Sequence, residues 1–325
     1  MISVAMCTYN GATYLPEQLE SIASQTLPVD ELVVCDDGSS DDTLAILQAF
    51  AQKVSFPVQV VRNETNLGST KNFEKCMLLC RGDILVLCDQ DDIWRKDRVE
   101  KQVGYLQQHP DKDAVFSDGL MIDDNSQPIG TTLWKEIEFF EEPQQRWQQG
   151  LGYEILFNGY VVTGATVALR RSCLPHLLPF PTHIPLLIHD GWIALVLCLQ
   201  DKIGFINECL ISYRMHSSQQ VGLGGKLEPV SLRDRLTRDR EIKLTPLREK
   251  AQELEMIYLH LHNYPNIPAE KLNKLYLRQQ HFQRRSSLPP NRLRRIRPVL
   301  RDAASGHYRF SSKDWWLPAL GDLLE

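Results

Sequence analysis

Ile84-Leu85-Val86-Leu87-Cys88-Asp89-Gln90-Asp91-Asp92 decides the fold. Five apolar residues in succession read as a short strand buried on both faces. Such strands belong to parallel sheets covered by helices. The same pattern recurs upstream. Ile2–Cys7, Glu31–Cys35 and Val58–Val61 are short runs rich in Val, Ile or Leu, and Asp83–Cys88 is the fourth. Between them lie Tyr14–Ala23 and Thr43–Ala51, of helical length and period. Strands alternating with helices imply βαβ units. Right-handed crossovers then place every strand C-terminus on one edge, where ligands bind.

Polar residues gather at those strand ends. The first run leads into Thr8-Tyr9-Asn10-Gly11 and the second into Asp36-Asp37-Gly38-Ser39-Ser40-Asp41-Asp42. The third leads toward Asn66-Leu67-Gly68 and Lys71, the fourth into Asp89-Gln90-Asp91-Asp92. Carboxylates at i and i+2 on a bending loop can share one hard cation, Mg²⁺ or Mn²⁺. They could equally favour the start of the next helix. Asp41 or Asp42 suits a helix cap before Leu44. Asp36 and Asp37 precede the turn glycine and are not explained by capping, and a carboxylate at Asp37 can accept from a nucleobase N–H. Lys71 stands in a first helical turn, where an acid would be the usual choice.

Composition sets outer limits. The chain has 325 residues, 43 % hydrophobic and 24 % charged, with a formal net charge of −5. That is a globular composition and argues against a nucleic-acid partner. The N-terminal MISVAMCTYNG lacks the basic and long apolar regions of a secretory signal. The longest apolar stretch falls far short of the roughly 20 residues a membrane span needs. A cytoplasmic or membrane-peripheral location is therefore expected. The eight cysteines are scattered through apolar runs and read as buried free thiols.

The second half is expected to complete the sheet and hold a second substrate. Gly164–Arg170 and Ile211–Arg214 look like strands and Ile188–Leu199 like a buried helix. Beyond Lys226, Ser231–Asn263 and Ala269–Arg285 read as helices. From Arg278 to Arg301 there are eight arginines and no carboxylate. Interleaved with Leu293, Ile296 and Leu300, they suit an anionic membrane, an exposed helical face or a subunit interface.

Together these residues resemble glycosyltransferase family 2, of the GT-A fold. The resemblance runs from Thr8-Tyr9-Asn10-Gly11 through Asp36–Thr43, Asn66-Leu67-Gly68, Asp89–Trp94 and Asp97-Arg98. It continues through Thr163-Gly164-Ala165-Thr166, Arg170-Arg171, His189-Asp190-Gly191-Trp192 and Tyr213-Arg214-Met215-His216. It covers roughly residues 1–222 and looks most like rhamnosyltransferase-type members of surface-polysaccharide assembly. It implies an α/β, Rossmann-like, mostly parallel sheet flanked by helices. The GT-A domain would span residues 1–225, with a nucleotide-sugar half to residue 120 and an acceptor half after it. Residues 226–325 would form a helical, Arg-rich extension.

The resemblance also implies roles. Tyr9 and Asp37 would hold the nucleobase, with Lys71 near base or diphosphate, and Asp89 would contact ribose or sugar. Thr8, Asn10, Asn66, Gly68 and Gln90 complete the expected donor site. Asp91 would bind Mg²⁺ or Mn²⁺, with His216 as a further contact. Asp190, opening a helix beside apolar walls, would be the general base of an inverting displacement. The donor would be a UDP- or dTDP-linked sugar, and the acceptor a glycan or lipid-linked saccharide. Cys7 departs from the family, where many members have a hydroxyl.

Two rival readings remain. In a phosphatase of the haloacid-dehalogenase type, Asp89 would be a nucleophile and Asp91 its acid/base. That motif usually lies on a first strand, whereas here it follows three βα units. A non-catalytic nucleotide-sugar-binding or scaffold protein is the other, and the presence of both Asp91 and Asp190 weighs against it.

Overall fold

The computed structural model describes residues 1–185, 187–216, 240–310 and 314–324. Two compact units emerge, Met1–Leu223 and Gly224–Glu325. The boundary expected at 225/226 lies outside the described residues, as do residues 231–239 of the expected Ser231–Asn263 helix.

The first unit is built on one nine-stranded sheet. Its strands are β1 (Ile2–Thr8), β2 (Glu31–Asp36), β3 (Val58–Arg62), β4 (Ile84–Cys88), β5 (Ile93–Trp94), β6 (Ala114–Ile122), β7 (Pro128–Thr132), β8 (Ala168–Arg170) and β9 (Ile203–Arg214). The order is β3-β2-β1-β4-β8-β6-β9-β5, with β7 on β6. β3, β2, β1 and β4 are mutually parallel. β8 runs antiparallel to β4 and β6, while β6 and β9 are parallel. Val4, Ala5, Met6, Val33, Val34, Leu85, Val86 and Leu87 are wholly buried, which is why these runs do not alternate.

Register fixes where the chemistry sits. Thr8 pairs with Asp36, Asp36 with Arg62, and Met6 with Cys88. The ends of all four parallel strands therefore lie level, and their loops leave at one edge. Helices α1 (Leu15–Ala23), α2 (Thr43–Ala51), α3 (Gly68–Leu79) and α4 (Arg98–Gln108) make the connections. α3 packs Phe73, Cys76 and Met77 against the sheet. All eight cysteines are free, and six are buried.

Later in this unit, α5 (His189–Leu199) has an almost wholly buried sequence. The strand expected over Gly164–Arg170 is split. Gly164–Thr166 forms a 3₁₀ turn, and only Ala168–Arg170 joins the sheet. The turn is held by Thr166, whose N–H and hydroxyl both donate to Thr163 O, at 2.9 and 2.7 Å.

The second unit is helical: α6 (Arg240–Leu261), α7 (Ala269–Ser286), α8 (Arg292–Ala304) and α9 (Trp316–Leu324). Leu288, Val299, Tyr308 and Ala319 form a small apolar core. Beside it lies the wholly buried Asp322, which accepts from Arg285 Nε and Tyr308 OH, both at 2.7 Å, and pairs with Lys243 at 3.2 Å. Arg278, Arg285 and Arg295 are buried, so the arginine-rich stretch is not one solvated face.

Candidate active site

At the open edge the loops after β1, β2 and β3 are tied by side chains. Asp36 is wholly buried and accepts from Thr8 Oγ1 at 2.9 Å and from the N–H groups of Gly38 and Ser39 at 3.2 and 2.9 Å. Asn10 takes a positive φ of 49°, and its Oδ1 accepts from Ser40 N at 2.8 Å. Thr8 and Asn10, both expected at the donor site, thus also tie the loops after β1 and β2 together. Asp42 is the N-cap of α2 without a capping side-chain bond. Asp41 Oδ1 instead accepts from Thr43 N at 3.1 Å.

Asp37 organises the next loop. Its Oδ1 accepts from Asn63 Nδ2 at 2.8 Å and Leu67 N at 2.7 Å, and its Oδ2 accepts from Gly68 N at 2.9 Å. Asn66 Nδ2 donates to the Asp37 carbonyl at 3.2 Å. Gly68, at φ +74°, supplies the left-handed turn that aims two successive N–H groups at one carboxylate. A carboxylate offers about four acceptor positions, and the fourth here is on Oδ2. Tyr9, Asp37, Gly38, Arg62, Asn63 and Asn66 line a cleft of about 460 Å³. Tyr9 is half exposed at its wall.

Gln90 joins this cleft to the acidic loop. Its Oε1 accepts from Tyr9 N at 2.9 Å, and its Nε2 donates to Tyr9 O at 3.1 Å. A Cβ at Gly11 would meet Gln90 Oε1 at 2.2 Å, so a side chain there would push the Gln90 amide out of its place against Tyr9. Lys71 lies apart from these contacts. Its Nζ is held by both Glu74 oxygens at 2.9 Å, and Glu74 also accepts from Phe180 N. Lys75, which the motifs did not single out, donates to Asn63 Oδ1 at 2.7 Å.

The acidic loop and the start of α5 form one electrostatic centre. Burial raises the Asp89 carboxyl to about 7, reinforced by the charges of Asp91 and Asp190 and opposed by Arg98. Asp190 stands in the first turn of α5, whose N-cap is Ile188. Its Oδ2 accepts from Gly164 N at 2.9 Å and its Oδ1 from Gly191 N at 2.6 Å. A Cβ at Gly164 would approach Asp190 Oδ2 to 3.3 Å and His189 Nε2 to 2.9 Å. His189 is buried and stacked on Phe73 at 4.1 Å, and neither ring nitrogen has a partner among the described residues. Burial keeps its pKa below the ordinary value, despite the nearby Asp190 charge.

His216 Nε2 lies 2.9 Å from Asp91 Oδ2. Two residues before it, the wholly buried Arg214 holds the loop from beneath. Its Nε donates to Asp91 O at 2.8 Å and its backbone N–H to Asp92 Oδ1 at 3.1 Å. Its remaining nitrogens reach Asp123 O, Ser126 Oγ and Glu17 Oε2. Asp92 is buried with Oδ2 unpartnered among the described residues. Burial, then Asp91 and Asp89, push its pKa well up. Arg98, wholly buried over the Trp94 ring at 4.0 Å, is the nearby cation. Tyr213 stands within its motif with no role assigned from the sequence. Burial raises its pKa, then the charges of Asp92, Asp89, Asp91 and Asp190, so it stays a phenol.

Two of these groups fit a divalent ion. At a metal–ligand distance of about 2.1 Å, neighbouring octahedral ligands stand about 3 Å apart, close to the Asp91–His216 separation. Among the described residues, no group of three or more His, Cys, Asp or Glu side chains could hold a metal. Mg²⁺ characteristically takes one or two protein ligands plus water and substrate phosphate.

The model of the family described as glycosyl transferase family 2 matches residues 3–173. A putative teichuronic acid biosynthesis glycosyltransferase of Bacillus subtilis, TuaG, is 27 % identical over 219 residues, covering 66 % of this chain and 79 % of that protein. The chain spans 59 % of the length of uncharacterised mycobacterial relatives that it also matches. Among solved structures, S. aureus TarS in complex with UDP has a TM-score of 0.54 at 16 % identity, covering 99 % of this chain and 88 % of that one. Mannosyltransferase PcManGT from Pyrobaculum calidifontis, in complex with GDP-Man and Mn²⁺, has a TM-score of 0.51 at 17 % identity, covering 99 % and 83 %.

Proposed function

The chain belongs to glycosyl transferase family 2 and is a glycosyltransferase of the GT-A fold, and from that premise we propose an inverting transfer from a UDP- or dTDP-linked sugar to an acceptor hydroxyl. What supports this reading is that the charges of Asp91 and Asp190 both bear on the Asp89 carboxyl, beside Gln90, which ties this loop to the cleft around Asp37.

In this reading the nucleobase lies in the cleft beside Tyr9. The open position on Asp37 Oδ2 accepts a pyrimidine N3–H. Arg62, exposed at the mouth of the cleft, adds positive charge on the donor side. Asp91 and His216 hold the divalent ion, Mg²⁺ or Mn²⁺, in keeping with the Mn²⁺ named in the PcManGT complex. When bound, such an ion neutralises charge on the departing diphosphate.

Asp190 takes the proton of the acceptor hydroxyl as attack proceeds. Its two hydrogen bonds from Gly164 and Gly191 hold the carboxylate in one orientation, as a general base requires. A single displacement needs no protein nucleophile, and in-line positioning of both substrates contributes much of the rate. The likeness to TuaG, named for teichuronic acid biosynthesis, supports a surface glycan or its lipid-linked precursor as acceptor. No described helix is long and apolar enough to cross a membrane.

The test is a donor screen. UDP- and dTDP-linked sugars are incubated with the full chain and Mg²⁺ or Mn²⁺, and nucleotide release is read with and without chelator. Metal-dependent release from one donor class supports the reading. Failure to turn over any nucleotide sugar, with acceptor glycans supplied, would overturn it.

A further inference from the structure

Helix α8 carries two stripes that no part of the proposed transfer uses. Leu293, Ile296 and Leu300 are spaced three and four apart, so they share one face. They are 78, 40 and 57 % exposed. Arg294, Arg297 and Arg301 repeat the same spacing beside them, and all three are exposed. None of these guanidinium groups has a partner among the described residues. The opposite face is buried through Arg295, Val299 and Asp302.

The charge on this face is uncompensated for a structural reason. The only carboxylate in α8, Asp302, is turned inward to His281 at 2.8 Å and Arg284 at 2.9 Å. Asp322 is likewise consumed inside by Arg285, Lys243 and Tyr308. His281, Arg284 and Arg285 thus occupy these two acids, and the outward arginines of α8 are left cationic beside bare aliphatic side chains. Trp316, opening α9, is 52 % exposed as well.

We propose that the Leu293–Ile296–Leu300 face of α8, flanked by Arg294, Arg297 and Arg301, docks onto an anionic phospholipid bilayer. The aliphatic stripe projects outward, as insertion at the headgroup–acyl boundary requires. The arginines beside it bury their stems and keep their charged ends at the phosphates. An acidic protein surface would match the charge but would leave the three projecting aliphatics without a receiving layer. The inference rests on the transfer reading only in giving membrane docking a use, the reach of a lipid-linked acceptor.

The test is flotation of the full chain with vesicles of phosphatidylcholine alone or with phosphatidylglycerol. Binding is expected only with the anionic lipid and should fall with added salt. Each basic side chain near an anionic surface is worth about fivefold in affinity, so R294Q/R297Q/R301Q should lose on the order of a hundredfold. L293S/I296S/L300S should lose binding comparably, with the fold kept as read by circular dichroism, because Leu293 and Leu300 are more than half exposed and Ile296 is 40 % exposed. Parent-like flotation of both variants overturns the proposal. So does a parent chain that ignores anionic vesicles, or one that self-associates through this face without binding them. Nucleotide release from a sugar donor in vesicle-free buffer is read in parallel. Lost flotation with release intact concerns the α8 face alone, whereas absent release with flotation intact concerns the transfer reading alone.

Discussion

Asp91 Oδ2 and His216 Nε2 stand 2.9 Å apart although 125 residues separate them in the chain. One follows β4 and the other follows β9, and Arg214 fixes their approach by holding the Asp91 carbonyl. If they are joint metal ligands, Asp91→Asn and His216→Ala should each weaken Mn²⁺ binding. Since even outer-sphere changes at metal sites cost about 10- to 100-fold, losses at least that large are expected. Calorimetric titration of Mn²⁺ in the presence of UDP measures this. Parent-like affinity in both variants would remove the two residues from the metal site.

Asp190 should matter to turnover far more than to donor binding. A positioned base contributes about 10²- to 10⁴-fold to the rate. Asp190→Asn should lower kcat by that order and leave donor affinity within a few-fold of the parent. The amide keeps only one acceptor for the N–H groups of Gly164 and Gly191, so a stability loss of about 1 kcal/mol is also expected. Transfer at the parent rate would rule out Asp190 as the base.

The sequence made the parallel half of the sheet readable because β1, β2 and β4 are buried on both faces and because all four strands are punctuated by polar loops. Asp91, Asp190 and Asp37 stood out for the same reason, as charges placed where apolar runs stop. Roles within those loops were harder to read. Thr8, Asn10, Gln90 and Asp36 also tie loops to one another, a long-range pairing that the motifs do not display. Lys71 pairs with Glu74, three residues on, a contact that the motif residues do not include. Arg62 escaped notice because its strand seemed to stop at Val61, although it stands in register with Asp36. The inward turn of Arg278, Arg285 and Arg295 depends on tertiary partners that composition cannot display.

Cys209 and Cys173 should be poor nucleophiles in the folded chain. Burial, then the charge of Asp118, pushes the half-buried Cys209 thiol up to about 11. Burial, then Asp113, pushes Cys173 to about 12. The thiolate is the reactive form, and a raised pKa keeps both protonated at pH 8. Alkylation of Cys209 at pH 8 should therefore run about a hundredfold slower than in urea. It should accelerate about tenfold per pH unit as the medium approaches pH 11. Peptide mass spectrometry after iodoacetamide pulses reads both effects. Equal rates in folded and denatured chain would contradict the burial.

Arg214 is the residue whose loss should couple stability to metal binding. It is wholly buried and donates to Asp91 O, Asp123 O, Ser126 Oγ and Glu17 Oε2 in different directions. Its ring contact with Tyr14, at 4.5 Å, fixes the guanidinium plane. Lysine preserves the charge but not the planar fork, so Arg214→Lys leaves several buried acceptors unmatched. At about 1–3 kcal/mol for a buried group left unsatisfied, a loss of roughly 2–4 kcal/mol is expected. In a chain of this size that lowers Tm by about 5–10 °C. Because the same side chain holds the Asp91 carbonyl, Mn²⁺ affinity should fall in Arg214→Lys even at temperatures where the variant stays folded. A variant that melts early yet binds Mn²⁺ as the parent does would show Arg214 to be a packing residue with no hold on the metal loop.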